Sequence, residues 1–247
     1  MKKSILLIAA SFVFMGHQAN SQSKAEDIFR TYRFGLFIGP TFNSMRPTAS
    51  TIDNYSVSKT KGNVGFSFGL TADYNINDRY TIFSGVGMDW RGGSINTVHD
   101  STTIKVEYVH SASVKYRLQY LTVPIGLKMK AAEFDKIKVF ATTGLDLGIL
   151  LSQRGDAILK TSPQTAEFKL EKSKLGGTAT CVPVNLGWFI GAGAEYELND
   201  KNSFYVSLIY RNGFTDITTP KTNDANKKFS DGNIRSNSFA IRIGYFF

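Results

Sequence analysis

The sequence predicts an all-β protein, an eight-stranded antiparallel transmembrane β-barrel with short periplasmic turns and four long extracellular loops. Three observations predict this fold. Segments of about ten residues alternate apolar with polar positions, the connections between them alternate between short and long, and aromatic residues gather at the segment ends. After residue 21 no apolar stretch approaches the roughly 20 residues that a transmembrane helix needs.

The N-terminus has the order of charge, apolar core and small residues that is typical of a secretory signal peptide. Lys2 and Lys3 precede an apolar run over residues 5–15, and Ala19-Asn20-Ser21 follows it. We expect cleavage before Gln22. The predicted organisation is a signal peptide at 1–21, an N-terminal periplasmic segment at 22–32 and an outer-membrane β-barrel domain at 33–247. A retained helical anchor is the weaker alternative, because about 11 apolar residues are too few to span a bilayer.

Charge and cysteine content narrow the range of partners. The formal net charge is +9, and +7 once Lys2 and Lys3 are removed with the signal peptide. In an exported chain this basic balance indicates solvation or anionic lipid headgroups, and we expect no nucleic-acid partner. Cys181 is the single cysteine, so no intramolecular disulfide can form and the fold must depend on backbone pairing and burial.

Eight segments have the alternation of a half-apolar strand, because successive side chains of a strand point to opposite faces. In the second segment, for example, Phe68 and Leu70 alternate with Ser67 and Gly69. Pro124 has no N–H to donate, so we expect a bulge or a local defect in the fourth strand. The predicted strands are residues 33–43, 63–75, 80–90, 116–128, 136–148, 184–196, 204–211 and 238–247.

The connections and the aromatic residues favour a membrane barrel over a soluble lipocalin-like barrel or a sandwich. The connections after strands 2, 4 and 6 cover only residues 75–79, 129–135 and 197–202, whereas the other connections run roughly 20 to 35 residues. Aromatic rings favour the two membrane boundaries, and a soluble core gives no reason to sort them by strand end. The periplasmic ends carry Phe34, Tyr74, Tyr80, Tyr196, Phe204, Tyr245 and Phe247, and the outer ends carry Phe42, Trp90 and Tyr210.

The second face of the strands combines glycines with charges of both signs. The lumen of an eight-stranded barrel is just wide enough for side chains to fill it. We therefore predict an internal polar plug of paired charges, with an ion or proton pathway as the less favoured alternative. The charges assigned to this face are Arg33, Asp73, Asp89, Arg117, Lys138, Asp146, Glu195, Arg211 and Arg242.

A resemblance to a known family adds to this prediction. Residues 120–128, Tyr-Leu-Thr-Val-Pro-Ile-Gly-Leu-Lys, resemble the mid-barrel Tyr-Leu-x-hydrophobic-Pro signature of the PorT-like outer-membrane β-barrel family of Bacteroidetes-type bacteria. The glycine-rich residues 187–195 and the terminal Gly244-Tyr245-Phe246-Phe247 are similar to that family as well. The resemblance covers residues 34–247. It implies an outer-membrane barrel and, by analogy with the family's named member, an accessory role in type IX secretion.

Few residues suggest chemistry. His99 and His110 fall in the second long loop, where a solvated histidine is the ordinary interpretation, although Asp100 and Ser101 beside His99 leave an enzyme conceivable. The sequence suggests no base that would activate Cys181, so we interpret it as an ordinary free thiol. No His, Cys or Asp cluster has the spacing of metal ligands. We therefore expect no catalytic, cofactor-binding or metal-binding residues, no cofactor, and no enzyme.

Three functional hypotheses follow, in this order of preference: a structural or secretion-associated barrel, a surface-binding barrel that acts through its long loops, and a lipid-modifying outer-membrane enzyme. The expected location is the cell outer membrane. The expected partners are outer-membrane lipid and lipopolysaccharide, the barrel-assembly machinery through the C-terminal strand, and secretion-system proteins.

Overall fold

The computed structural model describes residues 31–48, 51–52, 55–99, 108–162, 167–174, 181–199, 202–218, 221–223, 227–229 and 233–247. Most of these residues lie in β-strands. Within these ranges no helix is long and apolar enough to cross a membrane. The predicted signal peptide, residues 22–30 of the predicted periplasmic segment, and Asp100 with Ser101 lie outside the described residues.

Eight long strands form the wall of a closed antiparallel barrel. They are β1 (Tyr32–Pro47), β2 (Tyr55–Asn75), β3 (Tyr80–His99), β4 (Tyr108–Phe134), β5 (Ile137–Ser162), β6 (Val184–Glu197), β7 (Ser203–Gly213) and β8 (Ile234–Phe246). Each strand pairs with its neighbours in the sequence, and β1 pairs with both β2 and β8, which closes the sheet. Closure matters because an open sheet edge in lipid would leave backbone N–H and C=O groups without partners.

Four short strands lie outside this wall. Thr51–Ile52 pairs with the outer end of β2, and Glu167–Lys174 pairs with the outer part of β5. Lys221–Asn223 and Lys227–Phe229 pair only with each other. The predicted strand number and the antiparallel order of the wall are confirmed.

The alternation of faces is also confirmed. Leu70 in β2 and Ile190 in β6 are 57% and 52% exposed, as lipid-facing side chains are in a protein without its lipid, whereas Ser67 in β2 is 1% exposed and faces the lumen. Large apolar side chains cover the outer face of the wall in this way around the barrel. An apolar exterior around a buried, partly polar interior is the reverse of the arrangement in a soluble barrel.

Aromatic side chains form two girdles, as predicted. At the periplasmic end the rings of Phe204 and Tyr245 lie 4.9 Å apart, and those of Tyr32 and Tyr74 lie 5.0 Å apart. The outer girdle includes Trp90, whose ring lies 5.8 Å from that of Phe68. Tyr210 extends it, since its ring lies 5.9 Å from Trp188 and 4.8 Å from Phe239.

The predicted outer ends of four strands were wrong. β2, β3, β4 and β5 contain 21, 20, 27 and 26 residues, whereas crossing a membrane takes roughly 9–11 residues. Much of what the sequence indicated as loop is therefore a continuation of these strands. Beyond the outer girdle the outward face of a strand meets water instead of lipid, while inward side chains such as Val57 and Ile95 stay buried. Apolar residues are no longer required on the outward face, so the alternation fades from the sequence although the backbone ladder continues.

The predicted turn at 129–135 was wrong as well. β4 continues to Phe134, which pairs with Ile137, so the connection is the two-residue turn 135–136. Asp135 has φ 52°, in the left-handed region that an aspartate tolerates better than most residues. A register shift between Lys130 and Ala132 lets the ladder continue to this tight turn.

Pro124 interrupts one of its two ladders. Pairing of β3 with β4 stops after Ser84↔Ile125 and resumes at Gly87↔Thr122 without a change of register. The hydroxyl of Ser84 instead donates to the carbonyl of Pro124 at 3.0 Å. The expected irregularity is thus a local gap in the ladder, and no bulge forms there.

Candidate functional site

The lumen holds the charged side chains that the sequence analysis assigned to it, with one exception. Arg117 alternates with the buried Tyr116 and Leu118, so it lies on the outer face of β4, where it donates to Asp156 at 2.6 and 3.2 Å. The luminal assignment of Arg117 was wrong because the alternation of side chains along this strand directs residue 117 outward. The residues found on the luminal face are Arg33, Asp73, Asp89, Lys138, Asp146, Glu195, Arg211 and Arg242.

The first ion-pair network lies near the periplasmic end of the lumen. Arg33 donates to both carboxylate oxygens of Glu195, at 2.5 and 3.1 Å, and to Asp73 at 3.4 Å. Lys128 forms an ion pair with Asp73, and the Ser203 hydroxyl donates to Glu195 at 2.7 Å. Lys128, the last residue of the predicted fourth strand, was missed among the luminal charges.

The second ion-pair network lies deeper and crosses the barrel from β3 to β5 and β7. Arg91 donates to Asp89 at 2.9 Å and to Asp146 at 2.6 Å, and Arg211 donates to Asp89 at 2.5 Å. All four side chains are 5% exposed or less. Arg91 was missed as a luminal charge because the predicted third strand ended at Trp90, although continued alternation would have placed the next residue inside.

Aromatic and aliphatic side chains fill the lumen between these charges, which the expected polar plug did not include. Phe246 lies beneath the guanidinium of Arg33 at 4.4 Å and beneath the ammonium of Lys128 at 4.6 Å, measured to the ring centroid. Such cation–π contacts stabilise a charge in a site with little water. Two luminal clusters result, one of Phe37, Phe140, Tyr205 and Phe246 and one of Phe83, Phe189, Ile209 and Ala240.

An apolar cluster lies in the outer half of the lumen. Two segments between the strands turn inward to complete it: Cys181 pairs with Thr218 in an isolated bridge, and the Ile217 N–H donates to the Ile234 carbonyl at 2.9 Å. The Cys181 N–H donates to Gln153 at 2.8 Å. We call this cluster the outer plug; it consists of Met45, Val57, Ile95, Tyr116, Leu118, Tyr120, Cys181, Ile217 and Ile234.

A polar cavity of about 450 Å³ opens at the periplasmic mouth. Lys138 lies at its rim and pairs with Glu197, while Lys130 pairs with Glu133 at 2.7 Å. These pairs leave no net charge among the four side chains. The cavity ends at the Arg33 network, so it does not continue through the barrel.

The outer parts of β2 to β5 form a sheet beyond the outer girdle, which we call the extracellular sheet. It comprises residues 51–52, 55–62, 93–99, 108–117, 153–162 and 167–174. By sequence it contains nine basic residues and three acidic ones. The basic residues are Lys59, Lys61, Lys115, Arg117, Arg154, Lys160, Lys169, Lys172 and Lys174, and the acidic ones are Asp156, Glu167 and Glu171.

The residues weighed for chemistry do not come together in the part of the chain that the structure describes. His99 is the last residue of β3 and His110 lies in β4, so their assignment to a loop was wrong. Cys181 is 4% exposed within the outer plug. Among the described residues, no group of three or more His, Cys, Asp and Glu side chains could hold a metal ion.

Comparison with known proteins gives one match that covers most of the chain. The family model described as "Outer membrane protein beta-barrel domain" matches residues 18–219. No curated protein sequence matches the chain.

Several solved structures have a related architecture. OprG from Pseudomonas aeruginosa is 13% identical with a TM-score of 0.46, over 88% of this chain and 96% of its own. Ail from Yersinia pestis is 13% identical with a TM-score of 0.35, over 88% and 99%. The protease OmpT from Escherichia coli is 7% identical with a TM-score of 0.40, over 88% and 96%. Likenesses this distant say nothing about function.

Proposed function

Since the chain belongs to the outer membrane protein β-barrel domain family, as the match over residues 18–219 shows, we propose that it is a surface-binding outer-membrane barrel that holds polyanionic ligands on its extracellular sheet. This proposal selects the second of the three hypotheses drawn from the sequence. The proposed role involves neither catalysis nor transport.

The length of β2 to β5 is the observation that carries the proposal. From Trp90 in the outer girdle, β3 continues to His99, a path of about 30 Å at roughly 3.3 Å per residue. β2, β4 and β5 extend alongside it, so a hydrogen-bonded sheet and not a set of loops projects from the membrane. Binding residues commonly lie on surface segments that a rigid scaffold positions.

The charge of the extracellular sheet supports a polyanionic ligand. Its nine basic residues outnumber its three acidic ones, and the excess spreads over several strands. A sheet rich in cationic residues favours a ligand with repeated negative charges, such as a sulfated or phosphorylated glycan, because each added contact contributes to the affinity.

The filled lumen argues against a role in transport. Tyr120 and Leu118 of the outer plug are 1% and 2% exposed, and the two ion-pair networks follow beneath them. Any solute path would have to displace both the apolar plug and the paired charges.

Binding of dextran sulfate tests the proposal, with neutral dextran of equal length as the control polymer. Folded protein in lipid nanodiscs should bind dextran sulfate and not dextran, and added salt should weaken the binding because it screens surface charges. A variant with Lys169→Gln, Lys172→Gln and Lys174→Gln should bind more weakly. Equal binding of both polymers, or binding that salt does not change, would contradict the proposal.

The PorT-like resemblance supports a second candidate function, an accessory role in type IX secretion. Its residues 120–128 lie in β4 at mid-barrel, where Tyr120 and Thr122 fill the lumen and Ile125 is exposed on the outer face. A deletion strain tests this role through the amount of exported surface protein. Normal export in that strain would exclude it.

A further inference from the structure

The charges of the two networks and of Arg242, which lies on the same luminal face, do not balance. Their carboxylates are Asp73, Asp89, Asp146 and Glu195, and the cations on the same luminal faces are Arg33, Arg91, Lys128, Arg211 and Arg242. Five positive charges thus face four negative ones. The charges at the periplasmic mouth do not correct the difference, because Lys138 and Lys130 are matched there by Glu197 and Glu133.

The excess charge is located at Arg242. The other four cations each form an ion pair with a luminal carboxylate, but Arg242 forms no ion pair or hydrogen bond with any residue that the structure describes. Its side chain is 7% exposed and its Nε is buried without a hydrogen-bond partner. An ionised group in this position costs much free energy unless an opposite charge accompanies it.

The surroundings of Arg242 reduce the free-energy cost of burying its charge only in part. The guanidinium carbon lies 4.0 Å from the centroid of the Phe37 ring, and this contact stabilises the cation without neutralising it. Water would hydrate the guanidinium but would likewise leave the net charge in place. The carboxylates of Asp89 and Asp146 act on Arg242 through space, but both already form ion pairs with Arg91 or Arg211. The remaining requirement is for a further negative charge.

Further donors face the same part of the lumen. Ser207 is the direct cross-strand partner of Arg242, and its buried hydroxyl lies on the same face, where opposed Cβ atoms are about 5 Å apart. Arg211, one strand away, uses one nitrogen for Asp89 and brings a second guanidinium to the region. Two guanidinium groups and a hydroxyl are the donors that bind a halide or another small inorganic anion.

We infer that the barrel binds a small inorganic anion of the size of chloride at Arg242, between the two ion-pair networks. The anion restores neutrality to the lumen and hydrogen-bonds the open nitrogens of Arg242. This site is independent of the extracellular sheet, and it is structural because plugs of side chains lie on both sides of it.

A chloride titration of thermal unfolding tests the inference. Folded protein in detergent micelles is heated at constant ionic strength while sodium chloride replaces sodium gluconate, whose anion is too large for the lumen. A ligand that binds only the folded state raises its stability with concentration. The wild-type transition temperature should therefore rise with chloride and then level off. A transition temperature that stays constant throughout would overturn the inference.

The variant Arg242→Met separates an anion site from a packing role. It removes the guanidinium that holds the anion, so its transition temperature should not depend on chloride and should exceed that of the wild type in gluconate alone. If Arg242→Met retained the chloride dependence, or unfolded below the wild type in both media, the inference would be wrong.

Lys128→Met is the matched control, because it removes a cation that is paired with Asp73. It should lower the transition temperature in both media and keep the chloride dependence. Bromide-soaked crystals of the wild-type protein provide a measurement without any variant. An anomalous peak within hydrogen-bond distance of Arg242 supports the site, and its absence at saturating bromide contradicts it.

Discussion

The guanidinium of Arg33 and the carboxylate of Glu195, 162 positions apart in the sequence, meet inside the barrel with N–O distances of 2.5 and 3.1 Å. This bidentate pair joins the first strand of the barrel to the sixth across the lumen. It exists only when the barrel is closed, because β1 and β6 are not neighbours in the wall.

Removing one partner of this pair should destabilise the barrel. Glu195→Gln leaves the Arg33 charge without its main partner in a lumen with little water, and we expect a loss of roughly 3 kcal/mol in the free energy of unfolding. The double variant Arg33→Gln with Glu195→Gln should recover part of that loss. Urea titrations in lipid vesicles measure both values, and equal stability of Glu195→Gln and wild type would contradict the structure.

The two faces of a strand should respond differently to an added charge. Leu70→Arg and Ile190→Arg place arginine in the hydrocarbon and should destabilise by roughly 2–4 kcal/mol. Ser67→Arg instead crowds the lumen, where Ser67 is 1% exposed. Spin labels at positions 70 and 67 distinguish the faces. Lipid contact at 67 and not at 70 would show that the faces are assigned backwards.

The C-terminal residues should be required for assembly. Phe246 lies beneath Arg33 in the lumen, and the Phe247 N–H donates to the Phe34 carbonyl at 2.9 Å, so both link β8 to β1. Deletion of residues 245–247 should let the precursor reach the periplasm and be degraded there. The measurement is the amount of heat-modifiable protein in outer membranes, and normal assembly of the truncated chain would refute this role.

The natural cysteine reports on the outer plug. Cys181 is 4% exposed and packed in the plug. Folded protein should therefore resist a membrane-impermeant maleimide, and the same protein should react readily after boiling in detergent. Gln153→Ala, which removes the side chain that accepts from the Cys181 N–H, should increase labelling of the folded protein. Fast labelling of the folded wild type would show that the plug is open.

The sequence predicted the strands where the membrane imposes a pattern and failed where it does not. In β2, Phe68 and Leu70 must be apolar because lipid surrounds them, so their alternation is visible. Residues such as Lys59 and Asn96 meet water outside the membrane, and only their backbone pairing keeps them in strands. The same reason explains why Arg91, one position beyond the predicted strand end, was missed as a luminal charge.

Long-range pairing was not available from the sequence. The alternation placed Asp89 and Arg211 on the luminal face, but nothing in one sequence shows that they would meet at 2.5 Å. Nor does it show that Arg242 would form no ion pair with the carboxylates that the structure describes. Tilt and register of the closed barrel decide which luminal residues share a level. The outer plug was missed for a related reason, since Cys181 and Ile217 lie outside the alternating segments.

The comparison that tests the proposed function most directly uses two triple variants with the same loss of charge. Lys169, Lys172 and Lys174 lie in the extracellular sheet, whereas Lys221, Lys227 and Lys228 lie in the separate short hairpin. Each set is changed to glutamine, and the Kd for dextran sulfate is measured on folded protein in nanodiscs. We expect a clearly higher Kd for the sheet variant and a nearly unchanged Kd for the hairpin variant. Equal Kd values for both variants would contradict the proposed function.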